Sequence, residues 1–164
     1  MLNLPLNHAG LPYPDPIHPI IVHFVIAMVF FSFFCDVFGY FTHNRRLLEV
    51  SFWNLLIATI SVFLAVIFGQ FEAGLSQPYD AAQPTLSLHT ITGWLLAVLI
   101  VVMTAWRFAM RRQNSSKLSP FYLSAVTLLS CLVFFQMMLG SQLVWVYGLH
   151  VEPVVEATRQ GILK

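Results

Sequence analysis

The stretch HPIIVHFVIAMVFFSFFCDVFGYF, residues 18–41, decides the fold of this chain. An α-helix needs about 20 apolar residues to cross about 30 Å of hydrocarbon, and this stretch meets that length. It has no positively charged leader and is longer than the apolar part of a signal peptide, so we expect it to be retained as a helix. Three further apolar segments, at about 50–70, 89–110 and 120–147, predict three more spanning helices.

Composition agrees with a membrane protein. Apolar residues make up 58% of the 164-residue chain and charged residues only 9%, far below the roughly 25% charged residues of soluble domains. We therefore predict an all-α membrane protein, a single four-helix bundle over residues 18–148. Residues 1–17 form a proline-rich tail that we expect to be extended, and residues 149–164 form a C-terminal tail.

The positive charges predict the orientation of the bundle. Six of the eight Lys and Arg residues lie in or beside the connections between segments one and two and between segments three and four: Arg45, Arg46, Arg107, Arg111, Arg112 and Lys117. By the positive-inside rule these connections are cytoplasmic, so both termini and the loop 71–88 lie on the other face. We expect a multi-pass protein of the bacterial inner membrane or the thylakoid membrane. The net charge of +1 and the lack of a basic stripe argue against a nucleic-acid partner.

Four histidines gather at the non-cytoplasmic end of this topology: His18, His23, His89 and His150. Ionisable residues in spanning segments are costly and often mark cofactor sites or proton paths. His23 and His89 lie at similar depth on separate helices, so we predict that they are the axial ligands of a b-type haem between the helices. His18 and His150 lie nearer the water, and we expect them to surround the cofactor rather than ligate it.

A small metal site is the competing prediction. Glu72 and Asp80 could join His89 and His150 as ligands of copper or zinc. No short chelating motif such as H-x-x-x-H supports this set, and we favour haem.

One carboxylate lies deep in the first segment. Asp36 stands about two-thirds of the way along it, where an unpaired charge would cost at least a few kcal/mol. Arg107 lies at a matching depth in the third segment. We predict a structural ion pair between them rather than a proton relay.

Several motifs resemble a known family. The opening HPIIVHF (18–24) followed by Asp36, the stretch LHTITGW (88–94) and the ending LGSQLVWVYGLHV (139–151) resemble the bacterial membrane family catalogued as domain of unknown function 2231. The resemblance implies a four-helix membrane domain with a recurring pattern at positions 18, 23, 36, 89, 140 and 148. Members of the family typically have proline soon after the second histidine, where this chain has Val25. The resemblance does not supply a reaction.

We therefore expect a small b-type cytochrome-like protein that passes electrons at the non-cytoplasmic face, to or from quinone or a larger respiratory or photosynthetic complex. One alternative is a non-catalytic accessory or assembly subunit of a membrane complex, in which the polar residues only support packing. A homo-oligomer is compatible with either prediction. Another alternative is a sensor or transporter of a transition metal. The sequence assigns no enzymatic reaction, because it contains no recognisable nucleotide-binding or nucleophile motif.

Overall fold

The computed structural model describes residues 17–75, 78–113 and 117–163. Within these ranges the chain is helical and has no strands. Its helices are α1 (Ile17–Thr42), α2 (Arg45–Leu75), α3 (Gln83–Gln113), α4 (Pro120–Trp145) and the short α5 (Glu152–Arg159). The first four are long and apolar enough to cross a membrane, which confirms the predicted fold class.

Local sequence explains where several helices begin. Pro19 lies in the first turn of α1, where a missing N–H breaks no helical hydrogen bond. A two-residue turn joins α1 to α2. In that turn His43 adopts a left-handed φ of 52°, and the side chain of Asn44 accepts a hydrogen bond from Arg46 N at 3.0 Å, as an N-cap residue does. The short turn makes α1 and α2 antiparallel neighbours.

The four long helices form a ring in which α1 packs on α2, α2 on α3, α3 on α4 and α4 on α1. Among the described helices, the diagonal pairs α1/α3 and α2/α4 make no close backbone contact. The helices alternate in direction, so the bundle has two ends, which we name after the residues found there. The basic end carries the α1–α2 and α3–α4 connections. The histidine end carries the start of α1, the α2–α3 connection and α5.

An apolar layer fills the middle of the bundle. Val29, Leu55, Ala58 and Val126 are completely buried, and Ile100 is 1% exposed. The outer faces of the helices are also apolar; Phe31, Phe38 and Phe63 are among the exposed side chains. A protein that buries one apolar surface and exposes another is suited to a lipid environment. The fold is therefore that of a multi-pass membrane protein.

The first three helices extend beyond the apolar segments that predicted them, whereas α4 ends at Trp145, two residues before the predicted end of its segment. The second segment was expected to end near residue 70 and the third to begin near residue 89, but α2 ends at Leu75 and α3 begins at Gln83. The predicted loop 71–88 is correspondingly shorter. The C-terminal tail contains α5, and Val155 of α5 is 4% exposed. The proline-rich residues 1–16 lie outside the described residues.

Candidate functional site at the histidine end

His18 and His89 approach each other across the bundle. His18 belongs to α1 and His89 to α3, which are diagonal helices with no close backbone contact. The centroids of the two imidazole rings are 6.4 Å apart, and the ring planes are at 85°. The two side chains therefore meet on the bundle axis.

A backbone carbonyl fixes the orientation of His18. Its Nδ1 lies 2.7 Å from Ala65 O, and a carbonyl oxygen can only accept, so Nδ1 carries the hydrogen. In the neutral ring, Nε2 then carries no hydrogen, and its lone pair can accept a hydrogen bond or bind a metal. Gly69 lies against the same ring: a Cβ atom at that position would come within 2.8 Å of His18 Cε1. The imidazole can approach the backbone of α2 this closely because residue 69 has no side chain.

His89 is held by an amide from α4. Gln136 Nε2 donates to His89 O at 2.8 Å and lies 3.1 Å from His89 Nδ1. Thr92 Oγ1 contacts Gln136 Oε1 and Leu88 O, the latter at 2.8 Å. One hydroxyl hydrogen cannot serve both acceptors. The alternative is a Gln136 amide rotated by 180°. Thr92 then donates to Leu88 O and accepts from Gln136 Nε2, while Gln136 Oε1 faces His89 Nδ1. This orientation loses the hydrogen bond to His89 O.

The orientation of the Gln136 amide thus selects the tautomer of His89. With Nε2 of the amide toward the ring, His89 Nδ1 is an acceptor and its Nε2 carries the hydrogen. With Oε1 toward the ring, Nδ1 carries the hydrogen and Nε2 is free. The second arrangement gives His18 and His89 the same tautomer, with the nitrogens that bind metals unprotonated.

Glu72 links α1 to the C-terminal residues. Its Oε1 accepts a hydrogen bond from His18 N at 3.0 Å, which satisfies an N–H of the first helical turn that has no partner within α1. Its Oε2 lies 3.8 Å from His150 Nε2. Burial lowers the pKa of His150, and the neighbouring His18 lowers it further. The ring of His150 is therefore favoured in its neutral form.

His23 lies outside this group. It is exposed on α1, and its Nδ1 contacts Pro19 O at 2.6 Å. Five residues separate His18 from His23, which corresponds to about 140° around a helix. Because His18 faces the bundle axis, His23 faces outward. The structure brings His18, rather than His23, to His89.

The other predicted residues occupy three places. His150 and Glu72 lie beside the histidine pair, whereas Asp80 is exposed in the turn before α3. Asp36 and Arg107 lie together near the basic end, with Arg107 Nε 3.6 Å from Asp36 Oδ1. Within residues 17–75, 78–113 and 117–163, no three His, Cys, Asp or Glu side chains come together in a way that could hold a metal ion.

Sequence reasoning missed the partners of the two rings. Gln136 and Thr92 orient His89, and Gly69 makes room for His18. Spacing would have indicated which histidine of α1 faces His89, because His18 and Asp36 are eighteen residues apart, as are His89 and Arg107. Eighteen residues make five full turns, so each of these residue pairs lies on one side of its helix.

Comparison with protein families gives one match. The model of the family described as "Predicted membrane protein (DUF2231)" matches residues 14–153. The chain belongs to this family. The match covers all four long helices and the residues of the histidine end, so these features lie within the family's domain. Searches of curated proteins and of solved structures found no match.

Proposed function

We propose that the protein is a b-type cytochrome-like electron carrier, with His18 and His89 as the axial ligands of its haem. The distance between their rings carries the proposal. A bond between a metal and an imidazole nitrogen is about 2 Å long, so two axial imidazoles of one metal have ring centroids about 6 Å apart. The observed separation is 6.4 Å, and the two side chains come from diagonal helices of a bundle, where bundles commonly hold cofactors.

The surroundings of the two rings support the same role. Ligating histidines usually donate their second ring nitrogen to a carbonyl or amide oxygen, which fixes the tautomer. His18 makes this bond with Ala65 O, and His89 makes it when Gln136 presents Oε1. Glycines lie beside both rings: Gly69 beside His18, and Gly140, where a Cβ atom would come within 3.2 Å of His89 Cε1. Small residues allow flat groups to approach a helix backbone closely.

A haem in this position would supply one-electron chemistry at the histidine end. The protein's own part would be to hold both ligands in their neutral form and to keep the inner side of the site dry with the apolar layer. We also propose that the protein exchanges electrons at that face with quinone or with a larger respiratory or photosynthetic complex.

A site for a small metal ion is less well supported. The predicted ligands His89, His150, Glu72 and Asp80 do not converge: Asp80 is exposed, and no three potential ligands group within the described residues. A haem site needs only two protein ligands, so the same observation does not count against it.

The first prediction tests the ligand pair. The protein, expressed with ample haem, should give a low-spin six-coordinate spectrum, because two imidazoles would occupy both axial positions. His18→Ala and His89→Ala should each abolish that spectrum. His23→Ala is the matched control, since it removes an exposed imidazole from the same helix and should leave the spectrum unchanged.

Two outcomes would contradict the proposal. If the parent protein contains no haem after haem-replete expression, the cytochrome function is ruled out. A spectrum that survives His18→Ala and is lost in His23→Ala would return the ligand role to His23.

A further inference from the structure

A second polar group lies near the basic end, separate from the histidine pair. It consists of Asp36 on α1, Arg107 on α3 and Tyr122 on α4. Asp36 and Tyr122 are completely buried, and Arg107 is 1% exposed. Arg107 Cζ lies 5.9 Å from the centroid of the Tyr122 ring. Three polar side chains therefore share one enclosed volume.

Most of their hydrogen-bonding atoms have no protein partner. Arg107 uses Nη2 to donate to Leu48 O at 2.8 Å. Within the described part of the chain, five buried atoms make no hydrogen bond of normal length: Asp36 Oδ1 and Oδ2, Arg107 Nε and Nη1, and Tyr122 Oη. The hydroxyls of Ser51 and Tyr122 lie near the carboxylate but beyond that length. The separation of 3.6 Å between Arg107 Nε and Asp36 Oδ1 exceeds the roughly 2.7–3.2 Å of an N–H···O bond.

These atoms define what the site can bind. Two carboxylate oxygens lack a donor, and two guanidinium nitrogens lack an acceptor. The charges of Asp36 and Arg107 cancel, so an added cation or anion would satisfy one side and repel the other. A water molecule donates and accepts at once, and buried waters typically make about three hydrogen bonds to polar groups that are otherwise unsatisfied. We propose that Asp36, Arg107 and Tyr122 form a hydrated site, in which ordered water lies beside the ion pair and bridges the carboxylate, the guanidinium and the phenol.

The nearest cavity to this group lies at the basic end, and the entry of water is assigned to that side. A cavity of about 260 Å³ opens there, lined by Gly39, Tyr40, His43, Leu48, Lys117 and Leu118. Tyr40 lies one helical turn from Asp36 in α1, and Leu118 lies in the connection just before α4, four residues before Tyr122. Leu48 belongs to the cavity wall, and its carbonyl oxygen accepts the bond from Arg107.

The opposite direction is closed. Val29, Leu55, Ile100 and Val126 lie between this site and the histidine end, and each is 0 or 1% exposed. The hydrated site therefore exchanges with the aqueous phase next to the basic loops. This role does not depend on whether the histidine end binds haem.

Infrared spectroscopy can detect such water directly, with water itself as the probe. An O–H stretching band of an internal water should shift when the sample is moved from ordinary water to H₂¹⁸O. We expect this band in the parent protein and its loss in the Asp36→Leu/Arg107→Met double variant, which avoids leaving one buried charge alone. Tyr122→Phe should shift the band, because it removes one hydrogen-bonding hydroxyl.

Thr104→Val is the matched control. Thr104 is also buried in the bundle, but its hydroxyl is satisfied by Thr59 Oγ1 at 2.7 Å and Ile100 O at 2.8 Å, so the band should persist in this variant. A parent protein without the shifting band would overturn the proposal. So would a band that remains in the double variant, or a crystal structure that resolves loop waters and shows no density between Asp36 and Arg107.

Discussion

Gly69 illustrates how one residue determines the position of His18. Glycine in a helix normally costs roughly 0.5–1 kcal/mol relative to alanine, so the half-buried Gly69 in α2 needs a local reason. Here the reason is contact: a Cβ atom at residue 69 would lie 2.8 Å from His18 Cε1 and 2.9 Å from Nδ1. Such a contact would force the ring away from Ala65 O.

Gly69→Ala should therefore destabilise the protein even though alanine favours helix. We expect a loss of about 1–3 kcal/mol in the free energy of unfolding, the usual cost of overpacking. The comparison is Gly140→Ala, whose nearest contact with His89 Cε1 is a milder 3.2 Å and whose effect should be smaller. Unfolding in mixed micelles would measure both values. Equal or increased stability of the Gly69→Ala variant would show that the ring is not held against α2.

Some of the contacts between individual residues could be predicted from the sequence. Depth along the helix was enough to expect Asp36 opposite Arg107, and the two lie 3.6 Å apart. Depth alone paired His23 with His89, whereas the angle around α1 directs His18 toward His89 and leaves His23 exposed. His18, eighteen residues before Asp36, lies on the same side of α1 as that carboxylate, whereas His23 does not. The role of Gln136 could not be predicted, since it depends on the packing of α4 against α3.

Among the elements, the residues that follow α4 and the loop before α3 pack together at the histidine end. Leu149 packs with Ala82 and Leu143 in a small second core, and Tyr79 Oη donates to Tyr147 O at 2.9 Å. His150 lies in this region with a left-handed φ of 70°. His150, a titratable residue beside Glu72, therefore lies between this small core and the start of α5.

Acidification should loosen α5. Burial and His18 lower the pKa of His150 in the fold, so as pH falls the unfolded state takes up a proton before the folded state does. The stability contributed by neutral His150 is present above about pH 6.5, the unperturbed histidine value, and is lost progressively below it. The carboxylate of Glu72, 3.8 Å away, opposes this effect but does not reverse the direction of the pKa shift.

Hydrogen exchange would measure this change. The amides of α5 should lose protection between roughly pH 7.5 and 5.5, after correction for the intrinsic exchange rate. His150→Gln removes the titrating group and should make protection nearly independent of pH over that range. Protection that is constant in the parent protein, or that falls equally in the variant, would mean that His150 does not control α5.

The lengths of the elements were less predictable than their number. Hydrophobicity indicates where a chain lies in hydrocarbon, and it located four spans that correspond to the four long helices. It does not indicate where a helix ends in the interface. α2 continues to Leu75, and this extension lets Glu72 reach the first turn of α1. Such a contact between residues far apart in the sequence leaves no periodic signal.

For the whole molecule, the main feature is the separation of two polar sites by an apolar layer. His18 and Asp36 are eighteen residues apart on one helix, which corresponds to about 27 Å at 1.5 Å per residue. Side chains of all four long helices fill the space between them, including Val29, Leu55 and Ile100. A protein built this way presents different chemistry to its two aqueous phases rather than a continuous polar path. An accessory role in a larger complex stays a prediction, because apolar outer faces suit lipid and a partner helix equally.

The distribution of charge predicts which phase each end meets. Six of the eight Lys and Arg residues lie at or near the basic end, so the positive-inside rule places that end in the cytoplasm and the histidine end, with both termini, on the other side. The orientation matters for both proposals. It would place electron exchange on the non-cytoplasmic face and the hydrated site next to the cytoplasm.

Two glutamines make a matched pair for testing this orientation. Gln83 and Gln113 are the first and last residues of α3, both are exposed, and a helix of that length separates them by about 45 Å. The test uses a background in which Cys35 and Cys131, the free cysteines of the described residues, are replaced by alanine. In this background Gln83→Cys should react with a membrane-impermeant maleimide added to intact spheroplasts. Gln113→Cys should react only after the membrane is opened. The same label applied to opened membranes checks that both thiols are reactive. Labelling of Gln113→Cys in intact spheroplasts would show that the topology is the reverse, with the histidine end in the cytoplasm.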